Sequence, residues 1–288
     1  MNKLILMLRQ IRVHPLLWLV IALSIATARF IELSIFLMII FIHEMGHAVA
    51  ASQYSWRIKR ITLLPFGGVA EMDEHGNRPL REEAIVILAG PLQHVWMIGA
   101  AYWLNNLNMI SSEQFSLFLS FNLMVLLFNL LPIWPLDGGK LLFLLFSYLK
   151  SFPEAHRLTL NLSLVWLLLL AGYTLLTMPN NINMWIILAF LSFSLYHEWK
   201  QQRFVFMRFL LERYYGHNSD LRMLKPLKVE GNDLVVSVLQ RFRRGCKHPI
   251  IIEENGKEKG TLDENEILHA IFANKMVKAK ISDLHYTY

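Results

Sequence analysis

The chain has 288 residues, of which 55% are hydrophobic and 17% charged, and its net charge is +6. Charge runs well below the roughly 25% of a water-soluble domain, which excludes an ordinary soluble globular protein. After residue 199 sixteen basic residues face eleven acidic ones; without an arginine-rich helix interleaved with aromatics this excess suits an anionic lipid surface and argues against direct nucleic-acid binding.

In chain order, apolar blocks at 15–28, 33–52, 84–104, 115–131, 158–178 and 184–196 read as membrane segments. The middle four are long enough, at helical rise, to cross roughly 30 Å of hydrocarbon. The first and last are shorter and read either as spans or as interfacial or buried helices. Lys and Arg test a six-span arrangement. Lys3, Arg9 and Arg12 precede the first block, five basic residues fill 53–83, Lys150 and Arg157 lie in the fourth connection, and the 105–114 and 179–183 loops have none. Basic and non-basic segments alternate, so both termini are expected in the cytosol. No cleavable signal peptide is expected. The single cysteine, Cys246, is read as a free structural thiol in a reducing compartment. The predicted fold is an α-helical polytopic membrane protein with about six transmembrane helices. The core is expected over 1–199, a linker helix over 200–225 and a small cytosolic α/β domain over 226–288.

The second block contains FIHEMGHAVA, residues 41–50. Two imidazoles and a carboxylate in an apolar span have no water to solvate them, and ionisable residues there are functional by default. His43 and His47, four apart, share a helix face and can bind one metal. Glu44 beside them can act as general base on a water, as in the H-E-x-x-H zinc pattern. Gly46 is expected to allow a backbone or substrate to approach closely. Zinc wants a third protein ligand, and the best candidate lies in NLLPIWPLDGGK, residues 129–140. Asp137 is the only carboxylate between Glu113 and Glu154. Pro132 and Pro135 are expected to unwind the helix before it, and Gly138-Gly139 to break it after it.

RIKRITLLPFGGVAEM, residues 57–72, reads as strand–turn–strand. Residues 200–222 read as an amphipathic helix ending near Gly216. Beyond it follow a helix in DLVVSVLQRF, then strand, Asn-Gly turn, strand, and a capped helix at DENEIL. Arg241, Arg243, Arg244 and Lys247 are placed either to meet phosphates or an acidic partner, or to form a solvated face.

HEMGH in an early span with NLLPIWPLDGG in a later one, joined by FGG at 66–68 and AGPLQ at 89–93, resembles the site-2 protease family of intramembrane zinc metalloproteases. Within that family the chain is most similar to the sporulation members that remove the pro-sequence of the sigma-K precursor. The resemblance implies one Zn2+ per chain on His43, His47 and Asp137, with Glu44 as general base. It implies a substrate-binding role for Asn129 and Pro135, and for Phe66 and Gly67 in a segment that dips into the membrane. It also implies a protein substrate, inhibitory membrane proteins, membrane lipid around the core, and a place in the mother-cell membrane around the forespore. His94 departs from the Asn common in the family. It is read as a hydrogen bond inside the bundle or as a substrate contact. The tail resembles half of a CBS (cystathionine-β-synthase) domain. Such modules pair, which implies a homo-oligomer and ATP at the junction, near Arg241 and Arg244. Two competing classes are a soluble-type zinc protease on a membrane anchor and a metal transporter or non-enzymatic scaffold. The first lacks a ligand-bearing polar helix after His47, and a transporter would spread ionisable groups along a path through the bilayer.

Overall fold

The structure, a computed structural model, describes residues 11–13, 15–56, 58–64, 67–72, 78–216, 223–254 and 257–285. In chain order its elements are β1 (Ile11–Val13), α1 (Pro15–Ala26), α2 (Phe30–Gln53), β2 (Ile58–Leu64), β3 (Gly67–Met72), α3 (Leu80–Asn106), α4 (Ser112–Asn129), α5 (Asp137–Leu149), α6 (Phe152–Thr177), α7 (Ile182–Tyr215), β4 (Leu227–Glu230), α8 (Val235–Leu239), β5 (Ile250–Glu254), β6 (Lys257–Leu262), α9 (Glu264–Phe272) and α10 (Ile281–His285). Among the described residues three helices, α2, α3 and α6, are long and apolar enough to cross a membrane. The blocks at 15–28, 115–131 and 184–196 also form helices. However, α1 has only 12 residues, and α4 and α7 dilute their apolar side chains with polar ones such as Asn122, His197 and Glu198. Large apolar side chains on these helices, among them Trp96, Trp103, Leu168, Leu169 and Phe193, have little protein over them. In water such a surface would be an aggregation hazard; hydrocarbon solvates it.

The described residues fold as two compact units, one drawn from 11–72, 81–141 and 163–192, the other from 78–80, 142–162 and 193–285. In the first, α2, α3 and α4 meet through buried Ile39, Ile40, Met97 and Val125, with Phe36 and Phe121 edge to face at 5.8 Å. Lipid tails are as apolar as these side chains, so close fit rather than exclusion of water holds such helices together. Small residues provide the fit. A Cβ on Gly46 of α2 would lie 2.6 Å from the Ala89 carbonyl oxygen of α3. The backbone that Gly46 admits is therefore that of α3. The two expected strands are β2 and β3, antiparallel from Ile58↔Met72 to Leu64↔Gly67, with β1 parallel to β2; the expected turn between them, at 65 and 66, lies outside the described residues.

After α4 the chain is irregular from 130 to 136. Pro132 and Pro135 offer no backbone donor, and the Trp134 N–H turns to Ser163 Oγ at 3.0 Å. The sequence expectation is corrected at one point here. Gly138 and Gly139 do not end the helix; they stand in the first turn of α5, which Asp137 opens. A Cβ on Gly138 would lie 2.3 Å from the Leu130 carbonyl oxygen, and one on Gly139 would lie 2.6 Å from the Ile133 carbonyl carbon. These glycines let the new helix press against the irregular segment that leads into it.

In the second unit β4 runs parallel to β5 and β5 antiparallel to β6, over a core of Val229, Val235, Val238, Phe242, Ile250, Ile252 and Ile267. The capped start at Asp263 opens α9 as expected, with Glu266 Oε2 accepting the Asp263 N–H at 3.3 Å. The expected linker over 200–225 has no boundary near 200: α7 runs unbroken from Ile182 to Tyr215. Its Arg213 is buried and donates to Glu264 through Nε at 2.6 Å and Nη2 at 3.0 Å, to the Arg243 carbonyl at 2.7 Å, and to the Cys246 carbonyl. Glu264 Oε2 also accepts the His248 backbone N–H at 2.8 Å.

Candidate metal centre

His43 and His47 stand one turn apart on α2, their rings edge to face with centroids 4.8 Å apart. Their Nε2 atoms are 3.1 Å from each other. Asp137, at the first position of α5, brings Oδ2 to 3.2 Å from His43 Nε2 and 3.1 Å from His47 Nε2. All three side chains are buried, and among the described residues they are the one group of acidic, histidine and cysteine side chains arranged to share a metal ion.

The partners on the far side of each ligand decide what the near side offers. His47 Nδ1 lies 2.8 Å from the Val86 carbonyl oxygen, so its proton is there and its Nε2 carries a lone pair. His43 Nδ1 lies 3.0 Å from His94 Nε2, and His94 Nδ1 lies 2.8 Å from Asn122 Oδ1. Asp137 Oδ1 accepts from Lys140 Nζ at 3.2 Å. Its Oδ2, fully buried, has no hydrogen-bond partner. Three ligand atoms thus converge within 3.1 to 3.2 Å of one another, and a single cation among them would satisfy all three. The mutual separations of 3.1 to 3.2 Å are close to the edge of a tetrahedron with metal–ligand bonds of about 2.0–2.1 Å, roughly 3.3 Å. Two imidazoles and a carboxylate are a three-ligand set that suits catalytic zinc, which keeps its fourth position for water or substrate.

The backbone of α3 makes room for the site. A Cβ on Gly90 would lie 2.2 Å from His47 Nε2, so the imidazole occupies the space that a side chain at 90 would fill. Pro91 follows inside the same helix.

The other sequence-predicted residues fall as follows. Glu44 is buried on α2 beside His43. Asn129 is the last residue of α4, and its Nδ2 donates to the Val125 carbonyl at 3.0 Å. Pro135 is half-buried in the irregular segment, after a cis peptide bond. Gly67 opens β3 opposite Leu64, and Phe66 lies outside the described residues. Arg241 is exposed, 3.5 Å from Asp233, but Arg244 is buried, its guanidinium over the Phe143 ring at 5.1 Å. Arg244 is therefore packed against an aromatic ring and does not join Arg241 on a solvent face. His94 is fully buried and makes the hydrogen bonds inside the bundle that were one of its two readings. Asn122, Lys140 and Gly90 were not anticipated. An asparagine inside the apolar 115–131 block is a signal that a partner is needed, and Lys140 stands three residues from Asp137 on one helix face. Gly90 lies in the AGPLQ stretch that carries the resemblance, but that stretch assigns it no role.

The chain matches the pattern of peptidase family M50 over residues 31–109 and 104–171. It is 51% identical over 288 residues, the full length of both chains, to stage IV sporulation protein FB of Bacillus subtilis. A zinc metalloprotease of Methanocaldococcus jannaschii is 36% identical over 141 residues, 44% of this chain and 39% of that one. The solved site-2 protease from Methanocaldococcus jannaschii superposes with a TM-score of 0.53 at 29% identity, covering 65% of this chain and 89% of that one. With the family pattern over the very helices that build the tripod and a relative aligned end to end, the chain belongs to peptidase family M50, the site-2 type zinc metalloproteases of membranes.

Proposed function

We propose that this protease cuts a membrane-tethered protein at the bilayer, and that its substrate is the precursor of a sporulation sigma factor of the sigma-K type. The observation that carries the chemistry is the convergence of one ligand atom each from His43, His47 and Asp137 on α2 and α5, with Glu44 buried beside His43. The end-to-end similarity to a sporulation protein supports the substrate. His43, His47 and Asp137 would hold the zinc. When bound, zinc supplies a Lewis acid and lowers the pKa of a water to about 7. Glu44 takes the proton as the water oxygen attacks the peptide carbonyl carbon. It then gives a proton to the amide nitrogen as the C–N bond breaks. Asn129 and Pro135, in and beside the irregular segment, and Gly67 on β3 are the residues we assign to substrate binding. The sheet order β1-β2-β3 leaves β3 at an edge, where an extended peptide can add as a strand.

The alternation of basic and non-basic loops supports a six-span core with both termini in the cytosol. The β4-α8-β5-β6-α9 order supports half a CBS-type module in the tail, one that pairs between chains and takes ATP near exposed Arg241. The test is co-expression with a tagged sigma-K precursor. Wild type should give the shortened product, and Glu44→Gln should keep zinc and trap uncut precursor. A metal transporter or scaffold would survive Glu44→Gln unchanged. An uncut sigma-K precursor beside an active wild-type enzyme on another membrane-tethered protein would refute the substrate and leave the protease.

A further inference from the structure

The metal ligand His43 does not stand alone behind its ring. Its Nδ1 is 3.0 Å from His94 Nε2, and His94 Nδ1 is 2.8 Å from Asn122 Oδ1. His94 and Asn122 are both 0% exposed, and the chain of bonds crosses from α2 to α3 to α4. We propose that His94 and Asn122 are positioning residues for the metal centre: they hold the proton of His43 on Nδ1 and its lone pair on Nε2, aimed at the zinc.

The direction of the chain follows from the chemistry. A neutral imidazole has one donor and one acceptor nitrogen. If Asn122 Oδ1 accepts from His94 Nδ1–H, then His94 Nε2 is an acceptor and must receive the proton of His43 Nδ1. His43 Nε2 is then bare, as a ligand must be. Reverse the asparagine amide and every link reverses. His94 Nε2–H would donate to His43 Nδ1, and the proton of His43 would move to Nε2, where it blocks the metal. The orientation that serves the metal leaves Asn122 Nδ2 buried without a hydrogen-bond partner. The amide thus acts through its oxygen alone. The second ligand is fixed by a backbone carbonyl, Val86 O at 2.8 Å. That carbonyl can only accept, so His47 needs no further residue to set its tautomer. His43 meets a side chain that could run either way, and the orientation of the Asn122 amide, oxygen toward His94 Nδ1, sets which. Outer partners of this kind typically carry 10- to 100-fold in metal affinity.

His94 is thereby separated from the substrate. It is 0% exposed and both its ring nitrogens are taken up by His43 and Asn122, so its loss should act on metal binding and on turnover, with KM little changed.

The test uses the full-length protein in detergent, read by zinc affinity in competition with a chelator and by the visible spectrum of the Co2+-substituted form. Neither readout needs a substrate. His94→Leu removes the acceptor and should lower zinc affinity about 10- to 100-fold and shift the cobalt bands. His94→Gln places an amide oxygen near the position of Nε2 and should restore affinity to within a few-fold of wild type. Asn122→Ala, one link further out, should show a smaller loss, about severalfold. It also keeps the question answerable if His94→Leu does not fold, as judged by helical circular dichroism. Wild-type affinity in His94→Leu or in Asn122→Ala would overturn the proposal. So would His94→Gln binding as weakly as His94→Leu, since that would make packing rather than the accepted proton the cause. The proposal rests on zinc at His43, His47 and Asp137. Failure of the wild-type protein to bind zinc would refute that site, an outcome distinct from any difference among the variants.

Discussion

Gly90→Ala should lose zinc, although on general grounds it ought to help. Alanine exceeds glycine in helix propensity by about 0.8–1.0 kcal/mol. At position 90, however, the added Cβ would sit 2.2 Å from His47 Nε2, 2.4 Å from Cε1 and 2.8 Å from Cδ2. Ordinary contact begins near 3.4 Å, so the ring or the helix must yield by about 1.2 Å, the difference 3.4 − 2.2. Metal–ligand distances tolerate about 0.2 Å. The same retreat strains the 2.8 Å bond from His47 Nδ1 to the Val86 carbonyl. Displacing both the ligand and the bond that orients it should lower zinc affinity on the order of 100-fold, about 2.8 kcal/mol. Gly99→Ala in the same helix is the control, because nothing lies within 4 Å of its added Cβ. It should keep zinc and be neutral or slightly stabilising. Metal content of purified protein and chelator competition would decide. Gly90→Ala with zinc at wild-type affinity would refute the seating of His47 on α3. Equal loss in Gly99→Ala would show that α3 tolerates no change anywhere.

Arg213→Met should loosen the second unit while leaving zinc in place. It strands a buried Glu264 and removes donors to two carbonyls, a change worth about 3–5 kcal/mol. Adding Glu264→Gln should recover part of the loss, measured by limited proteolysis of the full chain, and strictly additive effects would deny the coupling. His248 should give that unit a pH dependence. Burial, with the Arg213 charge adding to it, holds the imidazole below its ordinary 6.5. Its contribution is therefore complete above pH 6.5 and is lost as pH drops from there toward the folded value. The slope is at most about 1.4 kcal/mol per pH unit for one proton. Proteolysis of the tail should rise below pH 6.5 in wild type, and a flat profile would refute this role for His248.

What was legible in the chain was whatever broke a local rule. His43, Glu44 and His47 stand in a run where ionisable groups have no solvent, and Asp137 is the sole carboxylate across a long apolar stretch. The use of Gly138 and Gly139 was not legible, because glycine serves turns and close packing alike and only the neighbouring carbonyls tell which. Neither was the continuity of α7. The change from apolar to charged residues near 200 marks a change of solvent, not of helix propensity, and among the described residues of α7 no Pro or Gly interrupts it before Gly216. The burial of Arg244 was hidden for a related reason. A basic residue in a basic stretch reads as solvated, yet a guanidinium also packs on an aromatic face, here that of Phe143.

The metal centre is also what joins the helices around it. His43–His94 and His47–Val86 tie α2 to α3, His94–Asn122 ties α3 to α4, and the tripod with Asp137 ties α2 to α5. Inside hydrocarbon an unsatisfied polar group costs several kcal/mol, whereas each interhelical hydrogen bond contributes only about 0.6–2 kcal/mol. The stronger constraint is thus the penalty for parting these groups, not the gain from joining them. The imidazoles that zinc needs cannot be buried without Val86 O and His94 on α3 to satisfy their outer nitrogens, and His94 in turn needs Asn122 on α4. Placing catalysis at this depth therefore dictates how α2, α3, α4 and α5 associate, and the small residues Gly46, Gly90, Gly138 and Gly139 are where that association is sterically allowed.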